Sequence, residues 1–528
     1  MAGNTELPAC QRFVNGVPVS SSRRRIPFAK RTLIVFILLT VGIVSFAAYF
    51  RHRLTDGHKR YVSIGIGIDN TLITNEDSKR DYVRKMMKHA WDSYAEYAWG
   101  ADELRPVTQA GTHFEAAGGL VSTGVTIVDS LDTLYIMGLQ EEFHKARQWV
   151  ATSFNFEGDF SVSVFETNIR IVGGFLAAFA LTGDELFKVK AKTVVDKLLP
   201  AFNTSTGIPC PSVNIGRKNG GECAKHAAIL AEVGSLHLEF AYLSEITGDS
   251  SYLDKVQKVR QALKKLVNSK GLYSNDISFK SIETYGDEFS MGGRGDSFYE
   301  YLYKSYLQSG KQDRDALDMY EHAMEAQMKH LLRTSGTGLK YFGQTHCASC
   351  DVQKRMEHLG CFVGGTLALS AQDTKDELSY LQLGADIAHT CHQSYNRTPV
   401  KLGPESFDFN GGDLDAVSGQ FSVKAHFLRP EVVETYFYLW RLTKQQKYRV
   451  WAWEVVQALE KHCRTSTGYS SLLDVYNPNP QLTDHQPSYF LAETLKYLYL
   501  IFSDDSLLPL DAWVFSTEAH PLPVHDKK

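Results

Sequence analysis

Long amphipathic segments alternate with short polar turns over most of the chain from about residue 81. Six turns carry the sequences MGLQEE, LTGDEL, ITGDSS, QSGKQD, SAQDTK and LTKQQK, at Gly138, Gly183, Gly248, Gly310, Gln372 and Lys444. The turns recur at comparable intervals along the chain, and each turn separates two helical stretches. The pattern therefore predicts a repeat of αα-hairpins, with a seventh pair expected around Tyr489 to Phe515.

The repeat predicts an all-α fold of one of two kinds. Repeated hairpins bury their apolar faces against their neighbours, so they build either an open solenoid or a closed ring. The aromatic-rich interior of the repeat and the lack of polar caps at its two ends favour a closed toroid of hairpins.

Polar residues recur at one position of this repeat, near the start of the first helix in five of the hairpins. Each comes a few helical turns before the next polar turn of the chain, and they are Glu166, Glu232, Asp296, His358, Glu431 and Glu434. Equivalent positions of a repeat lie on one rim, so these side chains are expected to meet at a common mouth. An acid in the first turn of a helix is often only a dipole partner. Three carboxyls on matching positions suit glycoside hydrolysis better, because that reaction needs an acid for the leaving oxygen and a base for water.

The local sequences around three of these acids support a shared site. SVFETNIRIVGGF places Glu166 in an apolar stretch, with Arg170 one helical turn later on the same helical face. In LRPEVVET the proline suits the start of a helix, which puts Glu431 in the first turn. In GGRGDSF a glycine-rich turn places Arg294 and Asp296 directly before a helix.

Composition narrows the class of protein. The 528 residues are 43% hydrophobic and 22% charged, which is typical of a globular protein large enough for one large domain or several smaller ones. The net charge of −4 provides no electrostatic basis for binding nucleic acid, so no nucleic-acid partner is expected.

An apolar segment near the N-terminus predicts a membrane anchor. Thr32 to Phe50 contains no charged residue, and a run of roughly 20 apolar residues is long enough to span a bilayer. A cleaved signal peptide is the alternative, but the segment before the run is too long for an ordinary n-region. The expected organisation is a cytosolic tail (1–31), a transmembrane signal anchor (32–50), a luminal stem (51–78), a catalytic barrel (79–523) and a C-terminal tail (524–528).

Other features agree with a luminal catalytic part. Two sequons predict N-glycosylation at Asn203 and Asn396. Seven of the eight cysteines follow the apolar run, so some should pair in an oxidising lumen. Cys347 and Cys350 form a CxxC motif without a second pair at zinc-finger spacing, which favours a structural disulfide or free thiols over a zinc site.

Residues 80 to 523 resemble the class I α-1,2-mannosidases of glycoside hydrolase family 47, and most closely the Golgi branch of that family. The resemblance rests on ordered motifs, which are VDSLDTLYIMGL, SVFETNIRIVGG, ILAEVGSLHLEF, GDSFYEYL, MEHLGCFVGGTLAL, LRPEVVETYFYLWRLT, FLAETLKYLYLIFSDD and VFSTEAHPLP. It implies an (α/α)7 barrel plugged at one end by a hairpin, a calcium ion on the barrel floor, and hydrolysis with inversion of the anomeric carbon.

The resemblance also implies roles for the acids. Glu166 matches the proton donor, and Glu431 and Asp296 match the other two essential carboxyls. The choice of base between these two is left open, with Glu431 favoured. In an inverting site the acid and base stand roughly 6.5–9.5 Å apart, which leaves room for the attacking water.

Further residues match binding positions of the family. Thr517 matches the calcium ligand, and calcium takes about 6–8 oxygens, so waters and sugar hydroxyls must complete its shell. Positions that hold these waters or contact the sugar are matched by Glu232, Glu434, Glu493, Glu518, Arg170, His358 and Arg429, and by Tyr489 where the family usually has Phe. Cys361 and Cys391 match the family disulfide, whereas Cys210 and Cys223 are extra and their pairing is left open.

One residue departs from the Golgi-like pattern. Arg294 occupies a position where Golgi-branch members usually carry Leu and endoplasmic-reticulum members carry Arg. Five guanidinium donors at the mouth would contact glycan hydroxyls, so branch preference is predicted to follow the endoplasmic-reticulum type.

The sequence therefore predicts a calcium-dependent exo-α-1,2-mannosidase that acts on high-mannose N-glycans of glycoproteins. The predicted location is the Golgi membrane with a luminal catalytic domain, and the endoplasmic reticulum is left open. A non-catalytic mannosidase-like lectin and a helical scaffold are the alternatives. Neither the product isomer nor the oligomeric state follows from the sequence.

Overall fold

Helices dominate the fold. The computed structural model describes residue 73 and residues 75–525, apart from 115, 117–118, 120, 218–226, 348–349 and 375. In chain order the α-helices are α1 (Glu76–Tyr97), α2 (Val125–Asp129), α3 (Leu131–Ile136), α4 (Gln140–Thr152), α5 (Val164–Glu166), α6 (Gly173–Thr182), α7 (Glu185–Leu198), α8 (Leu230–Gly234), α9 (His237–Thr247), α10 (Ser251–Leu263), α11 (Asp296–Gln308), α12 (Arg314–His330), α13 (Phe362–Ser370), α14 (Glu377–Asn396), α15 (Glu431–Thr443), α16 (Lys447–His462) and α17 (Leu495–Ile501). Two π-helical segments, Thr167–Val172 and Phe490–Thr494, lead directly into α6 and α17.

The longer helices pair into hairpins whose first members form a ring. The pairs in contact are α3 with α4, α6 with α7, α9 with α10, α11 with α12, α13 with α14 and α15 with α16. Their connections contain the six turns predicted from the sequence. The first members also contact one another in succession from α3 through α6, α9, α11, α13 and α15 to α17, and the π-helical segment before α17 contacts α3. The ring of the described residues is therefore closed.

The seventh hairpin differs from the prediction. The inner helix α17 packs against α1, the first helix of the described chain, and not against a helix that follows it. The segment around Trp513–Phe515 is a strand. Closing a ring brings the two ends of the repeat together, so the first and last helices complete one hairpin between them.

Burial explains why one helix of each hairpin lies inside. Every residue of α11 from Ser297 to Gln308 is buried, so this helix has no solvent face. Its partner α12 buries only one stripe and keeps a polar outer face, as an amphipathic helix does.

The continuous helix Val164–Thr182 is long and apolar enough to cross a membrane, but 72% of its most apolar window is buried inside the protein. It is a core helix of the ring.

Close packing between two helices depends on glycine at one crossing. A Cβ on Gly364 of α13 would lie 3.0 Å from the carbonyl oxygen of Gly384 of α14. A Cβ on Gly384 would lie 2.6 Å from the carbonyl oxygen of Gly364. Larger residues would force this inner and outer helix apart.

Short strands connect the hairpins at their ends. They are β1 (Glu103–Arg105), β2 (Ala110–Thr112), β3 (Ser161–Ser163), β4 (Ser212–Asn214), β5 (Ala228–Ile229), β6 (Asp276–Ile277), β7 (Leu332–Thr334), β8 (Lys340–Phe342), β9 (Arg355–Glu357), β10 (Ser406–Phe409), β11 (Asp415–Val417), β12 (Arg464–Thr465), β13 (Gly468–Tyr469), β14 (Trp513–Phe515) and β15 (Pro521–Pro523). Among the described residues each pairing is antiparallel, and only β9, β10 and β11 form a sheet of three strands.

The last hairpin, β14–β15, packs among the inner helices. Phe515 pairs with Pro521, and β15 contacts α6 and α9 while β14 contacts α11. Residues 516–520 form its loop, in which Ala519 has a positive φ of 58° and its N–H donates to the Ser516 carbonyl at 3.0 Å. The loop brings Thr517 into the interior of the ring.

The first helix begins before the predicted start of the barrel. Helix α1 begins at Glu76, where the hydrophobic period placed the first helix near Asp81. Asn75 caps it by accepting a 2.8 Å hydrogen bond from the Ser78 N–H, and acids in the first turn favour the dipole. The predicted cytosolic tail, membrane span, most of the stem and the end of the C-terminal tail lie outside the described residues, so these domain assignments stay predictions.

The structure contains disulfides, and both sequon asparagines lie on its surface. Cys361 and Cys391 form a disulfide that joins the start of α13 to α14, and Cys347 pairs with Cys350. Cys210 is also disulfide-bonded, and Cys223 lies outside the described residues. The two sequon residues, Asn203 and Asn396, are exposed on the surface.

Candidate active site

A cavity of about 270 Å³ opens where the inner helices begin. Its walls come from α5 and the following π-helical segment, α8, the start of α11, the start of α15, the segment at Tyr489 and the β14–β15 loop. The predicted site residues that line it are Glu166, Arg170, Glu232, Arg294, Asp296, Arg429, Glu431, Tyr489, Glu493, Thr517 and Glu518. The predicted common mouth is therefore a single cavity.

Two predicted substrate-contacting residues lie behind the cavity wall. His358 is 1% exposed and places its Nδ1 2.7 Å from Oε2 of Glu431. Glu434 is buried, with one oxygen 3.8 Å from Lys304 Nζ and 3.4 Å from the Tyr497 hydroxyl. Neither residue is among those that line the cavity, and His358 contacts the lining residue Glu431.

Two π-helical turns shape the walls. One begins directly after Glu166 and contains Arg170, and the other contains Glu493. A π-helical turn inserts an extra residue into the helix, which redirects neighbouring side chains and is frequent at functional sites. Here it leaves Arg170 Nε 2.9 Å from Glu166 Oε2, on the cavity side of the helix.

Arg170 organises one wall through four contacts. It pairs with Glu166 and Glu518, donates to the Ser488 hydroxyl at 3.1 Å, and lies 3.6 Å from Asp129. Burial disfavours its charge, but these carboxylates more than offset that effect and raise the pKa of Arg170 well above its ordinary value. The orientation of Glu166 is therefore fixed by a permanently charged neighbour.

Glu431 is held in its ionised form. Burial alone would raise its pKa, but the hydrogen bond from His358 and the charge of Arg429 bring the pKa of Glu431 below its ordinary value. Arg429 is itself anchored by Glu405, with Nε 2.7 and 2.8 Å from the two carboxylate oxygens. A buried carboxylate that stays ionised at neutral pH can accept a proton from water.

Asp296 occupies a different environment at the first position of α11. A Cβ on the preceding Gly295 would lie 2.6 Å from the Ser290 carbonyl oxygen, so this tight turn requires glycine. Burial, followed by repulsion from Glu300 and Glu431, raises the pKa of Asp296 to about 7 in spite of a hydrogen bond from the Ser297 N–H. The pKa of Asp296 is thus raised and that of Glu431 lowered, although both residues line one cavity.

The cavity lining contains more carboxyl groups than arginines. It includes six carboxyl groups and three arginines, and each of these arginines also pairs with a carboxylate outside the lining, which is Asp129, Asp276 or Glu405. Burial and then mutual repulsion raise the pKa of Glu493 well above its ordinary value. Among the described residues no group of three or more His, Cys, Asp or Glu side chains could hold a metal. Any cation here would need hydroxyl, carbonyl and water oxygens in addition to carboxylates.

Arg294 lies at the rim. Its side chain is 45% exposed and pairs with Asp276 of β6, and its φ of 78° places it in the left-handed region. This conformation is rare for a residue other than glycine, and it directs the guanidinium to the entrance of the cavity, where it forms part of the lining.

Several supporting residues were missed in the sequence. Asp129 and Glu405 hold the two inner arginines, and Tyr395 contacts His358. Asp129 is an acid inside the apolar stretch VDSLDTLYI, the same signal that singled out Glu166. Glu405 and Tyr395 lie in a loop and in an outer helix, where the spacing rule gave no indication.

The closed α/α ring places an acid-lined cavity at one end, and comparison with known proteins assigns the chain to the glycoside hydrolases. The glycosyl hydrolase family 47 pattern matches residues 86–524. The chain is 51% identical over 452 residues to mannosyl-oligosaccharide 1,2-alpha-mannosidase IB of Mus musculus, covering 84% of this chain and 70% of the mouse protein. It is 50% identical over 461 residues to mannosyl-oligosaccharide alpha-1,2-mannosidase IA of Drosophila melanogaster, covering 86% and 68%.

The fold agrees with the sequence match. The structure of an alpha-1,2-mannosidase from Trichoderma reesei superimposes with a TM-score of 0.77 and 27% identity, over 85% of this chain and 99% of the fungal chain. The chain belongs to glycosyl hydrolase family 47.

Proposed function

We propose that this protein is a calcium-dependent, inverting exo-α-1,2-mannosidase that trims high-mannose N-glycans of glycoproteins. The observation that carries the proposal is the convergence of Glu166, Asp296 and Glu431 on one cavity. The relatives named as 1,2-alpha-mannosidases and the family membership support the linkage and the sugar.

The carboxyls divide the work of an inverting hydrolysis. Glu431, held ionised by His358 and Arg429, removes a proton from the attacking water. Glu166, oriented by Arg170, delivers a proton to the glycosidic oxygen, directly or through a water molecule. The bond from the anomeric carbon to that oxygen breaks as the bond to water forms, so α-linked mannose leaves as the β anomer. Asp296, whose pKa is about 7, is the third carboxyl beside the reacting sugar.

The proposed cofactor is Ca²⁺, held by Thr517. The carboxyl-rich cavity lining and the hydroxyl and carbonyl oxygens of Thr517 suit a hard cation. Bound calcium would coordinate sugar hydroxyls and polarise the oxygens around them. Glu232, Glu493 and Glu518 line the same cavity and would hold the waters that complete the shell.

The proposed location is the Golgi membrane, with the enzyme anchored through residues 32–50 and its catalytic domain in the lumen. The exposed sequons and the disulfides suit an oxidising, glycosylating compartment. Residence in the endoplasmic reticulum is the alternative within the same secretory pathway.

Release of free mannose from a high-mannose N-glycan tests this function. The purified full-length chain with calcium should release single mannose residues, and only while α-1,2-linked termini remain. Proton NMR at early times should show β-mannose, because inversion of an α-glycoside forms that anomer first. Binding of the glycan without release would favour the lectin, and neither binding nor release would favour the scaffold.

Branch preference should depend on Arg294. In Arg294→Leu the guanidinium donors at the rim are lost, so we expect the order of mannose removal to shift toward a different product isomer. Chromatography of the partial digests against defined isomers measures this shift. Asp276→Asn is the matched control, because it removes the partner of Arg294 and keeps the guanidinium. Identical isomers from wild type and Arg294→Leu would contradict the prediction.

A further inference from the structure

A chain of two hydrogen bonds connects an outer helix to Glu431. The hydroxyl of Tyr395, near the end of α14, lies 2.6 Å from His358 Nε2. On the other side of the imidazole, His358 Nδ1 lies 2.7 Å from Glu431 Oε2. Tyr395 and His358 are buried, so water cannot replace either contact without rearrangement.

The direction of these hydrogen bonds follows from their partners. Burial raises the pKa of Tyr395 well above its ordinary value, so the hydroxyl keeps its proton. Among the described residues, the hydrogen-bond partner of this hydroxyl is His358 Nε2. If Nε2 carried a proton, the buried hydroxyl of Tyr395 would have no acceptor among the described residues, and a buried donor without an acceptor destabilises the folded protein. Every donor is satisfied when Tyr395 donates to Nε2 and Nδ1–H donates to Glu431.

The groups that face Glu431 make this donor important. Asp296 of α11, Glu434 of α15 and Glu493 before α17 repel its negative charge. Arg429, in the segment before α15, favours the charge together with His358. His358, Arg429 and a backbone hydrogen bond thus oppose the three carboxyls and the effect of burial.

A second histidine packs against the same pair without competing for the proton. The His426 ring lies edge-on to His358, with centroids 6.2 Å apart, and to Tyr395, with centroids 6.0 Å apart. Its Nδ1 is 2.9 Å from the Gly403 carbonyl oxygen, to which it donates. Burial lowers the pKa of His426 to about 3, so it is a neutral wall behind the pair.

We propose that Tyr395 is a positioning residue for the hydrolysis, because its hydroxyl fixes the His358 tautomer that donates Nδ1–H to Glu431. The inference rests on the proposed function, in which Glu431 is the base. Tyr395 does not line the active-site cavity, so it acts through His358.

Tyr395→Phe removes the hydroxyl and keeps the ring. His358 then loses the partner that selects its tautomer. In a fraction of the molecules the proton moves to Nε2, and an unprotonated Nδ1 faces Glu431. We expect kcat to fall about tenfold while KM changes less than about twofold, as for supporting residues of other sites. The active form of Glu431 is ionised, so activity is lost as the pH falls through its pKa. If the pKa of Glu431 rises, this loss occurs at a higher pH. The acid limb of the kcat/KM profile should therefore move up by about one pH unit.

Tyr448→Phe is the matched control. Its hydroxyl is buried in α16 and has no hydrogen-bond partner among the described residues, so its removal should leave kcat and the pH profile unchanged. A thermal melt of both variants separates loss of folded protein from loss of positioning.

A double variant distinguishes the two ways in which the idea could fail. In the Glu431→Gln background, Tyr395→Phe should cause no further loss of residual activity. An unchanged acid limb in Tyr395→Phe, with Glu431→Gln inactive, would overturn the role of Tyr395 and leave the hydrolase intact. Near wild-type activity in Glu431→Gln would instead overturn the assignment of the base, and with it the proposed mechanism.

Discussion

Glu166→Gln should reduce mannose release by about 10³-fold, within the range that general acid catalysis contributes. The amide keeps the size of the side chain and still accepts the hydrogen bond from Arg170 Nε. It has no acidic proton for the glycosidic oxygen, so the leaving group must depart unassisted. Initial rates on a high-mannose N-glycan at saturating calcium measure the effect.

The matched control for this substitution is Glu185→Gln. Glu185 is also an acid in the first turn of a helix, but its side chain is 66% exposed and pairs with Lys188 of the same helix. Its removal should leave the rate within about twofold, since exposed pairs contribute little.

Glu166→Gln should still bind the glycan, which calorimetry can measure. Turnover at half the wild-type rate or more in Glu166→Gln would show that Glu166 is not the proton donor.

The repeat of turns was the strongest signal in the sequence, because a left-handed glycine or a polar turn must interrupt every helical hairpin. Gly183 and Gly248, for example, end α6 and α9 with φ of 70° and 72°, where glycine has no steric penalty. The seventh pair could not be found in this way. It joins α1 to α17, and no local pattern records a contact between the two ends of the repeat.

The candidate site was predictable where a residue begins an inner helix, because the repeat itself places that position at the mouth. Glu434 shows the limit of this rule. Three steps along a helix rotate a side chain by roughly 60° from Glu431, enough to turn Glu434 toward Lys304 of α11. His358 was assigned to substrate through the family resemblance, whereas the structure places its Nδ1 2.7 Å from Oε2 of Glu431.

The supporting contacts depend on tertiary structure alone. Tyr395 and Glu405 are distant from Glu431 in the chain and reach the site from an outer helix and a loop. The π-helical turns at Arg170 and Glu493 have the composition of ordinary helix, so the helical period did not reveal them. Orientation and protonation of the acids therefore required the three-dimensional arrangement.

Removal of calcium should reduce mannose release at least about 100-fold, since the effect of a bound cation on charge and orientation amounts to several kcal/mol. The excess of carboxylates in the cavity would then face the sugar without a cation between them. Calcium should also raise the melting temperature. Binding only to the folded state adds about 2.7 kcal/mol of stability at a hundredfold excess over Kd. Chelation followed by titration of calcium back into the protein measures both effects.

Thr517→Val tests whether this cation lies on the β14–β15 loop. It removes the hydroxyl and keeps the carbonyl oxygen, so we expect weaker calcium binding and a smaller shift in melting temperature at a fixed calcium concentration. Thr366→Val is the matched control, because Thr366 is buried in α13 and its recorded hydrogen bond goes to Phe362 of the same helix. It should keep the full calcium-dependent shift. If Thr517→Val also kept the full shift and the full rate, calcium would have to bind elsewhere, and the carboxyl-rich cavity lining would need another explanation.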